Sequence, residues 1–357
     1  MPHNGELPEL AATVLQPGFV GTTVPDWVRR AVGEGLGGVA LFARNVESPG
    51  QVAALTAQLR AERDDVIVAI DEEAGDVTRF ESRHGSSRPG NHALGVVDDP
   101  ALTEAVAHDL GLDLAHAGIT LDYAPDTDVN SNPDNPVIGV RAFGARPDLV
   151  ARHGAAFVRG LQAAGVAACA KHFPGHGDTA VDSHHALPVI DRTRAMIEAG
   201  ELVPFRAAVA AGVQAVMTGH LLVRAYDDEL PATLSRAVLV GLLREELGFD
   251  GLIVTDGIEM QGVRRAYGLA GATVRALAAG ADAICVGGDH ADSEPVVVAD
   301  GRTDDQDQHQ GAAGSADGQP DEVGAAQRVA GQRLEDRAAD PERGTDQQRD
   351  QHPGQAQ

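Results

Sequence analysis

The sequence predicts an α/β protein whose main domain, residues 1–290, is a (β/α)8 barrel. Eight short apolar runs alternate with longer helical or mixed segments, a pattern typical of right-handed βαβ units and a parallel sheet. Eight such units favour a closed barrel over an open doubly wound sheet. No G-x-G-x-x-G motif follows the first run, which weighs against a dinucleotide-binding fold. The predicted strands are Ala12–Phe19, Gly38–Phe42, Val66–Ile70, Thr120–Ala124, Val166–Ala170, Ala215–Thr218, Gly251–Thr255 and Ala283–Val286.

Charged and polar residues stand where several of these runs end. The residues concerned are Asp71, Asp128, Arg141, Lys171, His220 and Asp256. The carboxyl ends of parallel strands meet at one face of a barrel, and catalytic residues of barrel enzymes gather there. The pattern therefore predicts both the fold and an active site at that face.

Composition limits the class of protein. The chain has 357 residues and a formal charge of -25, which argues against binding nucleic acid or an anionic membrane because both require a basic surface. No apolar stretch is long enough to span a membrane, and no signal peptide precedes the first run. We expect a cytoplasmic monomer that acts on a small molecule. The two cysteines, Cys169 and Cys285, are expected to be buried free thiols.

The chain changes character near residue 290. Residues 291–357 contain no Phe, Tyr, Trp, Ile or Met, one leucine and eleven glutamines, against six glutamines in the first 290 residues. Such an acidic, glutamine-rich segment cannot bury enough apolar surface to offset its ordering entropy, so we predict a disordered tail. It begins where the eighth barrel helix should start. We hypothesise that the barrel lacks this last helix because the natural C-terminus has been lost.

Residues 171–185 hold the densest cluster of reactive side chains. This stretch contains one lysine, four histidines and two aspartates, and Lys171 is the only lysine in the chain. A protein that otherwise uses arginine is expected to place lysine here only where a compact ammonium group is needed. Gly175 and Gly177 predict a flexible loop, which His176 and Asp178 are expected to shape without reacting.

Three further motifs accompany this stretch: D-E-E-A-G-D-V-T-R at 71–79, N-P-D-N-P-V-I-G-V-R-A-F-G at 132–144 and V-T-D-G-I-E-M at 254–260. Together the four motifs resemble those of glycoside hydrolase family 3, specifically its bacterial β-N-acetylglucosaminidases that recycle cell-wall fragments. The resemblance covers residues 10–290. It implies a single-domain retaining exo-β-N-acetylglucosaminidase of peptidoglycan turnover, which acts on a small carbohydrate without a cofactor or a metal. Ala74 departs from the glycine expected there, and Asp76 from a frequent arginine.

The resemblance also implies a role for eight residues. Asp256 would be the nucleophile that forms a covalent glycosyl-enzyme intermediate. His184, oriented by Asp182, would be the acid/base in place of the second carboxylic acid of most glycosidases, because histidine can give and take a proton near neutral pH. The sugar would be bound by Asp71, Arg79, Arg141, Lys171 and His172.

Several alternatives stay open at this stage. A neutral imidazole base repels an incoming anion less than a carboxylate does, so a phosphorylase, or a β-glucosidase of the same family, is possible. Asp256 could instead be a helix N-cap. Two alternatives belong to other classes of protein: a non-catalytic sugar-binding barrel and a metal-dependent barrel hydrolase. The ligands of such a hydrolase would be drawn from His172, His176, Asp178, Asp182, His184 and His185.

Overall fold

The computed structural model describes residues 7–287, and within them eight of the ten strands lie on the predicted apolar runs. Two further short strands, at Val189–Ile190 and Leu222–Val223, were not predicted. The strands are β1 (Leu15–Pro17), β2 (Gly38–Leu41), β3 (Ile67–Ile70), β4 (Leu121–Asp122), β5 (Ala167–Phe173), β6 (Val189–Ile190), β7 (Ala215–Thr218), β8 (Leu222–Val223), β9 (Leu252–Thr255) and β10 (Ile284–Val286).

All strand pairs are parallel. A six-stranded sheet has the order β2-β3-β4-β5-β7-β9, β1 pairs with β10, and β6 pairs with β8 in a separate ribbon. Single parallel bridges connect the β1–β10 pair to both ends of the large sheet, through Gly18 with Ala40 and through Ala283 with Val254. The result is a curled parallel sheet with a TIM-barrel-like fold.

Helices follow most of the strands, as a parallel sheet requires. Ser48, Asp99 and Thr193 cap three of them, since each side chain accepts a hydrogen bond from a backbone N–H of the first turn. The helices are α1 (Leu7–Ala12), α2 (Asp26–Gly33), α3 (Pro49–Glu62), α4 (Asn91–Val97), α5 (Pro100–His116), α6 (Pro147–Ala163), α7 (Arg194–Ala199), α8 (Leu202–Ala210) and α9 (Gln261–Ala279), with a π-helix at Ala237–Glu246.

The core has two parts because successive strand residues point to opposite faces of the sheet. In β2, Val39 and Leu41 join the large apolar cluster that includes the helices, whereas Ala40 belongs to a smaller cluster. That smaller cluster takes residues from β2, β3, β4, β5, β7, β9 and β10, including both cysteines. The cysteines are buried and free, as predicted.

Strand β5 is longer than predicted. It continues from Ala167 to Phe173, so that Lys171 and His172 lie within the strand and not in the loop after it. This places both side chains on a rigid element. The predicted tail at 291–357, and the hypothesis that the last helix is missing, lie outside the described residues. None of the helices between residues 7 and 287 is long and apolar enough to cross a membrane.

Glycine at position 95 allows α4 to pack against the segment that carries Arg141. An added Cβ at Gly95 would lie 1.8 Å from the Phe143 carbonyl oxygen, and the Asn91 side chain of the same helix donates to the Arg141 carbonyl at 2.7 Å. We expect Gly95→Ala to lower the free energy of unfolding by about 1–3 kcal/mol, the usual cost of overpacking. Urea unfolding measures this change.

The matched control is Gly50→Ala in α3, where no heavy atom lies within 4 Å of the added Cβ. Its free energy of unfolding should stay the same or rise by up to about 1 kcal/mol. Equal stabilities of the two variants would show that the close approach at Gly95 does not constrain this packing.

Candidate active site

A cavity of about 330 Å³ opens where the strands end, and seven of the eight predicted site residues line it. Its size is within the range of small-molecule sites. The eighth residue, Asp182, accepts a hydrogen bond from one of the seven. The seven lining residues are Asp71, Arg79, Arg141, Lys171, His172, His184 and Asp256.

Lys171 lies at the centre of the charged network on one side of the cavity. Its Nζ is 2.7 Å from Asp71 Oδ1 and 2.6 Å from Glu73 Oε1, and the lysine side chain is 2% exposed. Burial alone would lower the pKa of Lys171, but the two carboxylates outweigh it and the net shift is upward. The ammonium group is therefore charged at neutral pH and can donate hydrogen bonds.

Two arginines complete this network. Arg141 binds Glu73 through two of its nitrogens, Nε to Oε2 at 3.0 Å and Nη2 to Oε1 at 2.7 Å, and Arg79 Nη2 lies 3.3 Å from Asp71 Oδ2. Burial raises the pKa of Glu73, but Arg141 and Lys171 lower it by more. The paired cations thus keep two buried carboxylates ionised.

His172 is held as a neutral imidazole. Its Nδ1 lies 2.8 Å from Asp128 Oδ2, and its Nε2 lies 3.4 Å from Arg141 Nη2. Burial, followed by the Arg141 charge, lowers the pKa of His172 to about 4. These contacts fit a tautomer in which Nδ1–H donates to Asp128, and they hold the ring in one orientation.

Asp256 follows β9 directly and is partly exposed in the cavity. Its Oδ1 accepts the Gly257 N–H at 2.8 Å, which leaves Oδ2 available to react. Burial raises the pKa of Asp256, but its electrostatic interactions with His172 and His220 at low pH, where these rings take up protons, and the Gly257 hydrogen bond lower it by more. The alternative of a helix N-cap is wrong, because α9 begins at Gln261 with Met260 in the capping position.

His184 reaches the same cavity from the loop between β5 and β6. Its Nδ1 is 2.8 Å from Asp182 Oδ1, as the resemblance implies, and Asp182 Oδ1 also accepts the His184 backbone N–H at 2.8 Å. The histidine side chain is 58% exposed. Its exposed ring can therefore exchange protons with a ligand or with water while the carboxylate orients it.

The glycines of this loop allow close packing, and the predicted flexibility of the loop stays a prediction. An added Cβ at Gly177 would lie 1.8 Å from the Val129 carbonyl oxygen, and one at Gly175, whose φ is +128°, would lie 2.6 Å from Glu201 Cβ. His176 does shape the loop, as predicted, because its ring contacts Thr179 and Ser183. The segment 173–177 is thus tightly packed.

Ala74 adopts a backbone conformation that favours glycine. Its φ is +62°, in the left-handed region that costs a residue with a Cβ about 1–2 kcal/mol. Its departure from the expected glycine therefore introduces strain next to Glu73. Asp76, the other departure, is exposed and does not line the cavity.

Sequence reasoning missed Glu73 and Asp126. Glu73 stands two residues after Asp71, and this spacing puts two side chains on the same side of an extended backbone, a signal that could have identified it. Asp126 is fully buried, and its Oδ2 lies 3.8 Å from Arg141 Nη2. Burial and the neighbouring Asp128 charge raise the pKa of Asp126 to about 7.

One group of side chains among the described residues has metal-like spacing. The ligand atoms of Asp126, Asp128 and His172 lie within 4.8 Å of one another. The hydrogen bond between His172 and Asp128 and the nearby Arg141 charge account for this arrangement. The six residues named above as ligands of a metal-dependent hydrolase do not together form such a group within residues 7–287.

The fold and the cavity define a TIM-barrel-like protein with a site of paired carboxylates, cations and histidines at the strand ends. Residues 18–304 match the glycosyl hydrolase family 3 N-terminal domain. The chain therefore belongs to glycoside hydrolase family 3, as the sequence motifs predicted.

Relatives of this chain carry the names of β-hexosaminidases. β-Hexosaminidase A of Pseudoalteromonas piscicida is 36% identical over 283 residues, which cover 73% of this chain and 47% of that protein. A family 3 β-N-acetylglucosaminidase structure from Paenibacillus sp. is 46% identical with a TM-score of 0.76, covering 79% of this chain and 55% of the other. The chain thus spans about half the length of these two proteins.

NagZ from Neisseria gonorrhoeae, solved in complex with N-trifluoroacetyl-D-glucosamine, is matched over most of its own length. The two sequences are 31% identical, the TM-score is 0.71, and the alignment covers 77% of this chain and 81% of the NagZ chain.

We expect Lys171→Met to destabilise the protein strongly, because it leaves Asp71 and Glu73 buried with less compensating charge. Removing one partner of a buried pair costs about 3–5 kcal/mol. Urea unfolding of the variant and the wild type at neutral pH measures this loss.

The stability that Asp71 and Glu73 contribute should decrease as the pH falls. The pKa values of Asp71 and Glu73 are lowered by their cations from the usual 3.8 and 4.5, so their stabilisation is present above those usual values and is lost as pH falls below them. The stability difference between wild type and Lys171→Met should therefore shrink on acidification. A difference independent of pH would contradict this electrostatic account.

Proposed function

We propose that this protein is a retaining exo-β-N-acetylglucosaminidase that removes terminal N-acetylglucosamine from cell-wall-derived glycosides. The observation that carries the proposal is that a carboxylate from the end of β9 and a carboxylate-paired imidazole from the β5–β6 loop line one cavity. Membership of family 3 and the β-hexosaminidase names of its relatives support the reaction class. We also propose that the strands on the eight predicted apolar runs close into a barrel of the (β/α)8 type.

The first step would form the glycosyl-enzyme. Asp256 Oδ2 attacks the anomeric carbon, while the proton on His184 Nε2 passes to the glycosidic oxygen and the aglycone leaves. Asp182 supports this transfer because its negative charge stabilises the imidazolium and its position beside Nδ1 sets the tautomer. Gly257 N–H keeps Oδ1 engaged, so that Oδ2 is the attacking atom.

The second step would reverse the proton transfer. The neutral His184 Nε2 accepts a proton from water as the water oxygen attacks the anomeric carbon, and the bond to Asp256 breaks. The sugar would be released with its original anomeric configuration because two inversions occur.

The opposite side of the cavity would bind the sugar. Lys171, Arg141 and Arg79 provide charged donors fixed by Asp71 and Glu73. Asp71 can accept hydrogen bonds from sugar hydroxyls, and neutral His172 presents an immobile ring. These side chains come from one chain, so we propose a monomer as the working unit, acting in the cytoplasm on fragments of peptidoglycan turnover.

We expect Asp256→Ala to abolish turnover of 4-nitrophenyl β-N-acetylglucosaminide while substrate affinity stays close to that of the wild type. Loss of the attacking atom should reduce kcat by about 1,000-fold or more, the scale on which removal of a reacting group acts. Steady-state kinetics and equilibrium binding of the substrate to the variant measure the two effects.

The matched control is Asp250→Ala, which removes an exposed carboxylate that precedes the same strand and should leave kcat unchanged. Wild-type preference for the aryl glucoside over the N-acetylglucosaminide would reject the proposed substrate. Formation of sugar 1-phosphate in phosphate buffer would show that phosphate replaces water as the acceptor. Substantial turnover by Asp256→Ala would remove this carboxylate from the mechanism.

His184→Ala should slow cleavage more for substrates with a poor leaving group than for substrates with a good one. A general acid contributes about 10²–10⁴-fold to rate, and this contribution matters most for a poor leaving group such as a sugar. We therefore expect a large loss of kcat/KM with chitobiose and a much smaller loss with the nitrophenyl glycoside.

His185→Ala provides the control for this histidine, because its side chain is 82% exposed and lies 3.9 Å from Asp182 Oδ2. Its kcat/KM should match the wild type with both substrates. Equal losses with both substrates in His184→Ala would contradict the acid role.

A further inference from the structure

Ser183 is a buried residue between two exposed, reactive neighbours. Its relative exposure is 2%, whereas the side chains of Asp182 and His184 are 27% and 58% exposed. Loops usually run over the surface, so the burial of Ser183 indicates that the acid/base segment packs against the protein body at this residue.

The first attachment is through the side chain. Ser183 Oγ lies 3.1 Å from His176 Nε2. His176 is itself immobile: it is 1% exposed, its Nδ1 lies 2.7 Å from Thr179 Oγ1, and its backbone N–H donates to Asp128 Oδ1 at 2.6 Å. A buried ring with both nitrogens engaged is a fixed point for the segment that follows it.

The second attachment is through the backbone. The Ser183 carbonyl accepts the N–H of Gly262 at 3.1 Å. Gly262 lies in the first turn of α9, the helix that begins five residues after Asp256. The segment that carries His184 is therefore bonded directly to the element that follows the nucleophile.

The fit at this contact is close. A Cβ added at Gly262 would lie 3.1 Å from the Ser183 carbonyl oxygen, 3.2 Å from His220 Cβ and 3.6 Å from the Ala186 carbonyl oxygen. Glycine thus allows the segment to approach α9, and a side chain at this position would push it away.

We propose that Ser183, His176 and Gly262 are positioning residues that dock the acid/base segment onto α9 and so set the distance between His184 and Asp256. This inference rests on the proposed glycosidase function. The docking acts on the proton donor and leaves the nucleophile in place, because Asp256 is held separately by its bonds to Gly257 and Thr218. A shift of the proton donor His184 should therefore slow cleavage most for substrates whose leaving group must be protonated, and least for substrates with a good leaving group.

Gly262→Ala tests the docking, with Gly271→Ala as the matched control. Gly271 lies in the same helix, and its nearest neighbour to an added Cβ is Tyr267 Cβ at 3.9 Å. For Gly262→Ala we expect kcat/KM to fall about 3- to 10-fold with chitobiose and less than about 2-fold with the nitrophenyl glycoside, because contacts of 3.1 and 3.2 Å shift the segment by only a fraction of the roughly 1 Å that costs up to about 100-fold. Gly271→Ala should match the wild type with both.

Ser183→Ala gives an independent variant if the added methyl group at position 262 disturbs folding. It removes the bond to His176 Nε2 and keeps the backbone bond to Gly262. We therefore expect kcat/KM to fall less than in Gly262→Ala, and again to fall more with chitobiose than with the nitrophenyl glycoside. Equal losses with both substrates, in both variants, would overturn the inference.

Amide hydrogen exchange separates this inference from the proposed function, because it needs no turnover. The N–H groups of His184, His185 and Ala186 all donate within the segment to Asp182, and undocking should expose them more often. We expect faster exchange at 182–186 in Gly262→Ala than in Gly271→Ala. Unchanged exchange would overturn the docking, whereas an inactive wild type would overturn the glycosidase function.

Discussion

The contact of buried Lys171 with Asp71 and Glu73 is the interaction on which the charged side of the cavity depends. A lone ammonium group would not be stable at 2% exposure, and neither would the two carboxylates without a cation. Together they form a network that also fixes Arg141. Because β5 carries Lys171 and the segment after β3 carries both acids, the parallel pairing of strands sets the whole arrangement.

The histidines around the cavity differ in environment and so in capability. Burial lowers the pKa of His172, His176 and His220, and each of these rings is also hydrogen-bonded in place. His184 is exposed and contacts a carboxylate through Nδ1. The described part of the fold thus holds three of these rings buried and fixed by hydrogen bonds, whereas the ring of His184 is exposed beside a carboxylate.

The two proposed reacting groups are attached to the fold in different ways. Asp256 follows a barrel strand, and its backbone N–H continues the sheet by donating to Thr218. His184 lies on a loop, and side-chain and backbone contacts at Ser183 hold that loop. A nucleophile on a rigid strand and an acid/base on a docked loop suit a reaction in which the proton donor must admit and release an aglycone.

The amino-acid sequence by itself determined the positions of eight strands and seven of the residues that line the cavity. Runs such as Gly38–Leu41 and Ala215–Thr218 are predictable because buried parallel strands are continuously apolar. Asp71, Lys171 and Asp256 are predictable because strand ends converge at one face. His184 and Asp182 were predicted as site residues only through the resemblance of the motifs to those of glycoside hydrolase family 3.

Only the tertiary structure decided which partners these residues have. The bond from Ser183 to Gly262 joins positions far apart in the chain, and the packing of Gly177 on Val129 depends on how two loops meet. The same holds for the left-handed backbone at Ala74 and for the pair of Glu73 with Arg141. Local pattern carries no information about such contacts, because they form only when the sheet curls and brings separate strand ends together.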